Sequence, residues 1–404
     1  MKILVLNCGS STLKFQLIDT GGANEDHKLA GGLIDRIGGD SSYEFQIAGD
    51  SPRQGKVAAE NHEAAVAKVI EWLGANPHLG FVEAVGHRVV HGGKEFKSAV
   101  RIDDRVLEIL DSLCELAPLH NPGSVSGIQA ARRVLGATVP MVAAFDTSFH
   151  HTIPDKAATY AVPRELSTKY SIRRYGFHGL AHQYSALRYG ELTGTTADRT
   201  TIVTLHLGNG CSACAIRNGE SFDTSMGFTP LEGLVMGTRS GDLDPGLVSY
   251  VARQEGFEPA EVDNLLNTRS GLLGLSGLSS DMRELTAVYH DEPRARLAID
   301  VFCYRARKYL GAYLAALNGA EAVVFSGGIA ENSPMIREMI CRDMDWCGLN
   351  LDGAANEAVI GRDGSISSNQ SQIKLWVVHA DEERIIARDT ARVLNMASGE
   401  KSRS

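Results

Sequence analysis

The sequence predicts an α/β protein of two domains, one a repeat of the other. Segments with the alternation of β-strands are interspersed with helical patterns along the whole chain, and this intermixing is typical of the α/β class. A chain of 404 residues is long enough for two domains, which commonly have about 100–200 residues each. Two hairpins that turn at glycine, one in each half of the chain, indicate an internal duplication.

The first hairpin is predicted at residues 2–18, around the segment VLNCGSSTLKFQL. Four residues separate Gly9 from Lys14, as in a phosphate-binding P-loop, but the second glycine of that motif is missing. The LKFQL that follows alternates apolar with polar residues, which predicts a strand and not a helix. The turn would offer backbone N–H groups, hydroxyls and one lysine to an anion, although an ordinary surface hairpin has the same pattern.

The second hairpin is predicted at residues 201–221, where Asn209 and Gly210 form a strong turn signal. A further apolar strand lies within 321–332, ends in glycine and leads into a helix that begins at Pro334. One hairpin in each half would hold a polyphosphate between them. Helical patterns are found at 61–73, 104–116, 124–135, 180–193, 260–266, 295–317 and 382–396.

Composition excludes several classes of protein. A net charge of −9 disfavours nucleic acids and anionic membranes as partners. No apolar segment approaches the ~20 residues of a membrane helix, and the first residues do not form a signal peptide. Seven scattered cysteines are typical of a reducing cytoplasm, and Cys211 and Cys214 would point to opposite faces of one strand, which disfavours a shared metal.

Charged residues next to apolar strands are candidates for chemistry. Arg88 lies inside an apolar strand, where a guanidinium needs an anionic partner, either a structural carboxylate or a bound anion. Asp146 follows a buried strand, the position at which α/β folds bind ligands, although an aspartate that only forms a turn fits equally well. The acids at 381–383 open a helix, and the helix dipole by itself explains acids there.

A second arginine, Arg239, lies alone in a loop of residues 230–246 that is rich in glycine and aspartate. Long ordered loops are often functional. The alternative is a loop stabilised by a salt bridge from Arg239 to Asp242 or Asp244.

Two histidines occur four residues apart at the start of a predicted helix. His178 precedes a helix that begins near Gly179, and a histidine at a helix N-terminus tends to stay neutral and to donate one hydrogen bond. A metal site formed with His182 is disfavoured, because the glutamate of the H-E-x-x-H motif is missing and Gly179 breaks the turn that they would share.

Ten segments in one order, spread over nearly the whole chain, resemble the acetate kinase family of the acetate and sugar kinase/heat-shock chaperone/actin superfamily. They are NCGSSTLKF, GHRVVHGG, PLHNP, AFDTSFH, YGFHG, HLGNGCS, PLEGLVMGTRSGDLDPG, LSSDMRE, GGIAEN and ADEE. Any one of them is weak evidence, but the long PLEGLVMGTRSGDLDPG segment is nearly diagnostic.

The resemblance implies two duplicated actin-like (ribonuclease H-like) domains with an active-site cleft between them. Residues 1–149 plus 383–404 would form the first domain, and 150–382 the second, with the adenosine site and dimer contacts. The implied activity is reversible, Mg²⁺-dependent transfer of a phosphoryl group from ATP to acetate, which gives ADP and acetyl phosphate, with Mn²⁺ as the alternative metal. The resemblance also suggests a homodimer, whereas the cysteines and the net charge predict a cytoplasmic protein without nucleic-acid or membrane partners.

Two other functions are compatible with the resemblance. One is a propionate or other short-chain carboxylate kinase of the same family. The other is an actin- or chaperone-like ATPase, which would have no use for two catalytic arginines.

The resemblance also implies roles for individual residues. The catalytic residues would be Arg88, Asp146, His178 and Arg239. The acid would be bound by Arg88, Val90, Leu119, Phe177 and Pro230. The nucleotide would be bound by Lys14, His206, Leu207, Gly208, Asn209, Gly210, Asp281, Met282, Arg283, Gly328, Ile329, Ala330, Glu331 and Asn332. The metal ligands would be Asn7 and Glu382, with Glu383 as the less favoured alternative.

This chemistry suits the residues. A carboxylate is already a nucleophile at pH 7, so it needs no strong base. Phosphoryl transfer depends on positioning and on neutralisation of charge. Arg88 and Arg239 would orient the acid and neutralise the migrating phosphoryl oxygens, His178 would donate to the same oxygens, and Asp146 would hold the arginines.

Overall fold

The alternating segments of the sequence form strands, and the helical patterns form helices. The computed structural model describes residues 1–21, 26–118, 120–136 and 138–401. The chain divides into two units, of which unit 1 contains Met1–Phe149 and Asp381–Ser404 and unit 2 contains His150–Ala380. The predicted return to the first domain, at residue 383, lies two residues after the return at Asp381.

In chain order the elements are β1 (Lys2–Cys8), β2 (Thr12–Thr20), β3 (Asp26–Asp35), β4 (Ser42–Ile47), β5 (Arg53–Lys56), α1 (His62–Gly74), β6 (Ala84–Val89), β7 (Val100–Arg101), α2 (Asp104–Ser112), α3 (Asn121–Leu135), β8 (Met141–Phe145), α4 (Asp155–Ala158), α5 (Arg164–Tyr170), α6 (Gly179–Thr193), β9 (Ile202–Leu207), β10 (Cys211–Arg217), β11 (Glu220–Thr224), α7 (Pro245–Glu255), α8 (Pro259–Thr268), α9 (Gly271–Ser276), α10 (Met282–Ala287), α11 (Pro293–Leu317), β12 (Ala322–Ser326), α12 (Gly328–Asn332), α13 (Pro334–Cys341), α14 (Gly353–Ala358), β13 (Gly364–Ser365), β14 (Lys374–Val377) and α15 (Glu382–Lys401). Short 3-10 helices lie at Pro77–Leu79, Leu113–Glu115, Ser148–Thr152, Ala197–Arg199 and Asp345–Cys347.

The described residues of unit 1 form an eight-stranded sheet in the order β5-β4-β3-β2-β1-β6-β8-β7. Strand β1 is apolar on both faces because helices cover both. Leu4 and Leu6 belong to the core that includes residues of α1 and α3, whereas α15 packs on β1, β6 and β8 from the other side. Gly86 in β6 is required there, because a Cβ atom would lie 2.6 Å from the Thr390 hydroxyl of α15.

The described residues of unit 2 form a six-stranded sheet in the order β11-β10-β9-β12-β14-β13. Helix α6 packs on β9 and β12, and the long helix α11 packs on β9 and β10. The strands β9, β10 and β12 are almost entirely buried, which explains their nearly continuous apolar sequences.

The two sheets repeat one arrangement. In unit 1 the strands β3-β2-β1 are antiparallel neighbours and β1-β6-β8 are parallel neighbours. In unit 2 the strands β11-β10-β9 are antiparallel and β9-β12-β14 are parallel. The α/β class and the duplication that the two hairpins predicted are therefore confirmed.

The predicted helices and hairpins occur within a few residues of their expected positions. The patterns did not predict several helices, among them α5, α7 and α10, and residues 328–332 of the GGIAEN segment form the short helix α12 directly after β12. Among the described residues no helix is both long and apolar enough to cross a membrane. All seven cysteines are free thiols.

Candidate functional site

In unit 1, Arg88 lies near the carboxyl end of β6 and bonds two carboxylates. Its Nε and Nη2 atoms donate to the two oxygens of Asp146 at 2.9 and 2.7 Å, so the pair is bidentate. Its Nη1 atom lies 3.1 Å from Oε1 of Glu382, the first residue of α15. Asp146 directly follows β8 and is 1% exposed. The structural carboxylate that the sequence allowed as a partner for Arg88 is therefore Asp146.

The electrostatics of this cluster follow from the pairing. Burial disfavours the charge of Arg88, but the attraction of Asp146, Glu382 and Glu383 exceeds that penalty and raises the pKa of the guanidinium above its usual value. Burial and the neighbouring Glu382 carboxylate raise the pKa of Glu383 above its ordinary value. Of the two glutamates, Glu382 is the one whose carboxylate reaches Arg88.

Asn7 and Lys14 face each other across the first hairpin and lie on the same face of the sheet as Arg88. They are register partners in β1 and β2, and because Leu6 of β1 pairs with His87 of β6, Asn7 is next to Arg88. Asn7 and Glu382 offer hard oxygen atoms of the kind that Mg²⁺ binds. The described residues contain no group of three or more His, Cys, Asp or Glu side chains that could hold a metal alone. This donor set fits Mg²⁺, which commonly keeps several waters and is held largely by phosphates.

In unit 2, His178 and Arg239 meet at the second hairpin. A Cβ atom placed on Gly210 would lie 3.3 Å from Nε2 of His178 and 3.8 Å from Nη1 of Arg239. His178 caps the N-terminus of α6 and has a left-handed backbone with φ of 57°, which turns the chain sharply between Phe177 and the helix. The structure thus brings together two predicted catalytic residues and the glycine turn.

Arg239 has no carboxylate partner among the described residues. Its Nη1 atom donates to the Pro230 carbonyl at 3.0 Å, and burial lowers the pKa of the guanidinium below its usual value. The predicted alternative partners are engaged elsewhere: Asp242 accepts from Gly233 N–H and Tyr309, and Asp244 caps α7. The hypothesis of a salt-bridged Arg239 is therefore wrong, and the loop presents a desolvated cation.

A buried chain of hydrogen bonds supports His178. Its Nδ1 atom lies 2.9 Å from the Ser212 hydroxyl, which lies 2.8 Å from Nε2 of His182. Nδ1 of His182 in turn lies 2.7 Å from the Thr204 hydroxyl. Burial lowers the pKa of His182 far below its ordinary value, so its imidazole is neutral. His182 therefore positions His178 through Ser212.

Backbone contacts shape the turn of the second hairpin. Gly208 N–H donates to the Gly210 carbonyl at 3.0 Å, and the Asn209 carbonyl accepts from Gly237 N–H at 2.9 Å. A Cβ atom on Gly237 would lie 2.1 Å from the Asn209 side-chain oxygen, so glycine allows the Asn209 amide to occupy this position. His206 precedes this turn, and its Nδ1 atom lies 3.0 Å from the Ser326 hydroxyl.

A cavity of about 830 Å³ in unit 2 contains part of the predicted nucleotide site. The predicted residues that line it are Gly208, Asn209, Asp281, Met282, Arg283, Gly328, Ile329 and Asn332. Lining residues that were not among the predicted nucleotide-binding residues are Ser280, Thr286 and Ser333. A cavity of this size is adequate for a small-molecule ligand.

Two predicted nucleotide residues of α12 do not line this cavity. Ala330 is fully buried. The Glu331 carboxylate accepts from the N–H groups of Gly327 and Ala380 at 2.8 and 3.0 Å and lies 2.6 Å from Nδ1 of His379. The Glu331 side chain is 4% exposed and bonds backbone N–H groups of unit 2, so it stabilises the start of α12.

The residues predicted to bind the acid occupy different environments. Val90 directly follows β6 and is half-buried. Phe177 is 1% exposed, and Pro230 is half-buried with its carbonyl on Arg239. Leu119 lies outside the described residues.

Sequence reasoning missed several supporting side chains. Ser212 and Thr204 hold the two histidines, and His150 donates from Nε2 to the Phe177 carbonyl at 3.0 Å, just before His178. His150 ends the AFDTSFH segment, so its motif was visible in the sequence, but its partner lies 27 residues away. Ser212 likewise ends the HLGNGCS segment, and its partner His178 lies 34 positions away.

Comparisons with known proteins agree with this architecture. The model of the acetokinase family matches residues 2–388. The chain is 48% identical to the acetate kinase of Chloroherpeton thalassium, over 97% of this chain and 99% of that protein. Crystal structures of Porphyromonas gingivalis acetate kinase and of a propionate kinase from Francisella tularensis each match with a TM-score of 0.90, at 39% and 37% identity, over 97% of this chain and 99% of theirs. The chain belongs to the acetokinase family.

Proposed function

We propose that this chain catalyses the reversible, Mg²⁺-dependent transfer of the γ-phosphoryl group of ATP to acetate, which yields acetyl phosphate and ADP. The observation that carries the proposal is Arg239, a desolvated guanidinium without a carboxylate partner beside His178 and the glycine turn. A cation in such a place is suited to an anionic ligand, and phosphoryl transfer develops charge on the oxygens of the migrating group.

In the proposed reaction an acetate oxygen attacks the γ-phosphorus while the bond to the β-phosphate oxygen breaks and ADP leaves. Arg239 and His178 donate to the oxygens of the migrating group. Arg88 orients the acetate carboxylate, and Asp146 holds the Arg88 fork in place through its bidentate pair. A bound Mg²⁺, with Asn7 and Glu382 as its protein ligands, would neutralise phosphate charge. No residue needs to act as a base, because acetate is ionised at pH 7.

The nucleotide is assigned to the cavity of about 830 Å³. Gly208 and Asn209 of the second hairpin line it together with the N-terminus of α12 at Gly328. Backbone N–H groups at a glycine turn favour phosphates, whereas Met282 and Ile329 offer apolar surface to a base. In unit 1, Lys14 and the first hairpin would contact phosphates as well.

Propionate is the main competing substrate. A propionate kinase and an acetate kinase match this fold equally well, so the backbone does not decide between the acids. The relative that is 48% identical is an acetate kinase, and this supports acetate. Val90 supports a small pocket, because it directly follows β6, two residues after Arg88, and is half-buried.

The test is ATP consumption by the purified protein with Mg²⁺ and acetate, propionate or butyrate, with acyl phosphate trapped by hydroxylamine. We expect acetate-dependent ADP and hydroxamate in equal amounts, in the order acetate, propionate, butyrate. ATP hydrolysis at a rate that does not depend on the added acid would contradict the proposal. A preference for propionate would assign the chain to the other substrate of the family.

We further propose that the enzyme is a cytoplasmic homodimer. Seven free thiols support a reducing compartment. Unit 2 exposes several large apolar side chains, which is typical of interaction surfaces. They include Leu247, Tyr250, Leu275, Leu278, Leu297 and Tyr304. Light scattering of the purified protein measures the oligomeric state directly.

A further inference from the structure

The turn of the first hairpin is contacted by a histidine from a different element. His62 is the first residue of α1 and is 8% exposed. Its Nε2 atom lies 2.8 Å from the carbonyl oxygen of Gly9, between β1 and β2. A carbonyl can only accept, so Nε2 carries the proton and donates. The tautomer of His62 is therefore determined by this contact.

Helix α3 confines the same peptide group. A Cβ atom on Gly123, in the first turn of α3, would lie 2.8 Å from the Gly9 oxygen and 2.9 Å from its carbonyl carbon. The Gly9 carbonyl thus lies against the imidazole of His62 and against the backbone of Gly123. This close approach leaves little room for the peptide to rotate.

We propose that His62 is a positioning residue for phosphate binding, because it sets the orientation of the peptide between Gly9 and Ser10. In a trans peptide the C=O and the following N–H point in opposite directions. Holding the Gly9 oxygen against His62 therefore directs the Ser10 N–H away from α1, toward the side of the turn where Ser10 and Ser11 are exposed. This inference rests on the proposed function, in which the first hairpin contacts phosphates.

The other hydrogen bonds of the turn do not supply this orientation. Gly9 N–H donates to the Thr12 carbonyl at 2.9 Å, and Ile37 N–H donates to the Ser11 carbonyl at 2.9 Å. Both restrain the path of the chain, but neither engages the carbonyl of Gly9 or the N–H of Ser10. If that peptide rotated, a carbonyl oxygen would replace the N–H group at the phosphate and would repel it.

The test compares His62→Leu, which removes the donor, with His62→Gln, whose amide nitrogen can take the place of Nε2. His78→Leu is the matched control, since His78 is an exposed histidine of the same unit. The measurements are the KM for ATP, the KM for acetate, ATP and adenosine binding by calorimetry, and the melting temperature. We expect His62→Leu to weaken ATP binding about tenfold, the change that loss of one hydrogen bond to a charged group implies.

Three expected results distinguish a positioning role of His62 from a purely structural role. Binding of adenosine, which lacks phosphates, and the KM for acetate should stay unchanged in His62→Leu. His62→Gln should bind ATP within about threefold of wild type, because one amide donor restores the bond. His78→Leu should match wild type throughout. If His62→Leu does not fold, His62→Asn takes its place, because the shorter amide does not reach Gly9.

Two outcomes overturn the inference. One is a lower melting temperature with unchanged ATP binding, and the other is equal weakening of ATP and adenosine. Absence of acetate-dependent ATP consumption in wild type would contradict the proposed function instead. In that case weaker ATP binding by His62→Leu, with adenosine binding intact, would still support the role of His62.

Discussion

The two arginines that are predicted to be catalytic, one in each unit, have opposite environments. Arg88 of unit 1 lies between the carboxylates of Asp146 and Glu382, whose attraction raises its pKa. Arg239 of unit 2 bonds a backbone carbonyl, and burial lowers its pKa. The comparison indicates that the charge of Arg88 is largely neutralised by the protein, which makes it an orienting group. The charge of Arg239 is not neutralised by a carboxylate, so we expect it to stabilise the transition state more than Arg88 does.

The turns of the two hairpins also differ, in the element to which each is bonded. In unit 1 the turn is held from outside by His62 of α1, and Arg88 comes from a separate strand. In unit 2 the turn is bonded to Gly237, two residues before Arg239 in the same loop. The second turn is therefore bonded to the loop that contains its arginine, whereas the first turn is bonded to a helix that contains none. The duplicated fold thus supports two chemically different halves.

The largest effect that the comparison predicts is loss of turnover in Arg239→Ala. The kcat should fall by about 10²–10³, because one donor to developing charge is removed, while the affinity for nucleotide changes little. Arg239→Lys should recover little activity, since lysine lacks the planar fork. Steady-state kinetics with acetate and ATP measure both. Near-normal turnover in Arg239→Ala would refute the catalytic assignment.

For the free energy of unfolding we expect the larger loss at Arg88 and the smaller loss at Arg239. Arg88→Met leaves the buried Asp146 carboxylate without its guanidinium, so the free energy of unfolding should drop by roughly 3–5 kcal/mol. Arg239→Met removes a cation that has no ion pair and should cost less than about 1 kcal/mol. Urea denaturation of the two variants provides the comparison. Equal losses would show that the environments of the two arginines do not differ as described.

A smaller effect is expected at the start of α15. Glu382→Ala should raise the Mg²⁺ concentration needed for half-maximal activity several-fold, and Glu383→Ala should raise it less, because mutating a metal-site residue weakens metal binding by up to about 10–100-fold. Magnesium titrations of both variants test this order. The reverse order would identify Glu383 as the ligand, and equal small losses would leave only the helix dipole as the role of these acids.

The smallest effect concerns the size of the acid. Wild type should prefer acetate to propionate by roughly tenfold or more, since rejection of one methylene in a rigid pocket is worth about 1–3 kcal/mol. Val90→Ala should narrow this ratio by making room for the extra carbon. Values of kcat/KM for the two acids, in wild type and variant, decide the point. If the ratio of kcat/KM for acetate to that for propionate is the same in Val90→Ala as in wild type, Val90 does not line the pocket for the acid.

Local sequence was enough for the two hairpins, for the longer helices and for the charged groups of the site. The alternation in LKFQL predicted β2, the Asn-Gly pair predicted the second hairpin, and both occur as expected. The helix after His178 begins at Gly179, as its sequence indicated. These features depend on side-chain periodicity and turn chemistry, which act over a few residues.

Only the tertiary structure decided which groups meet. The sequence allowed Arg88 and Arg239 the same two kinds of partner, and the fold gave a carboxylate to Arg88 alone. The bonds of His178 to Ser212 and of His62 to Gly9 join residues 34 and 53 positions apart. Periodicity reports the face on which a side chain lies, but strand register and helix packing determine its neighbour. For that reason the chemical groups of the site were readable from the sequence, whereas their pairing required the fold.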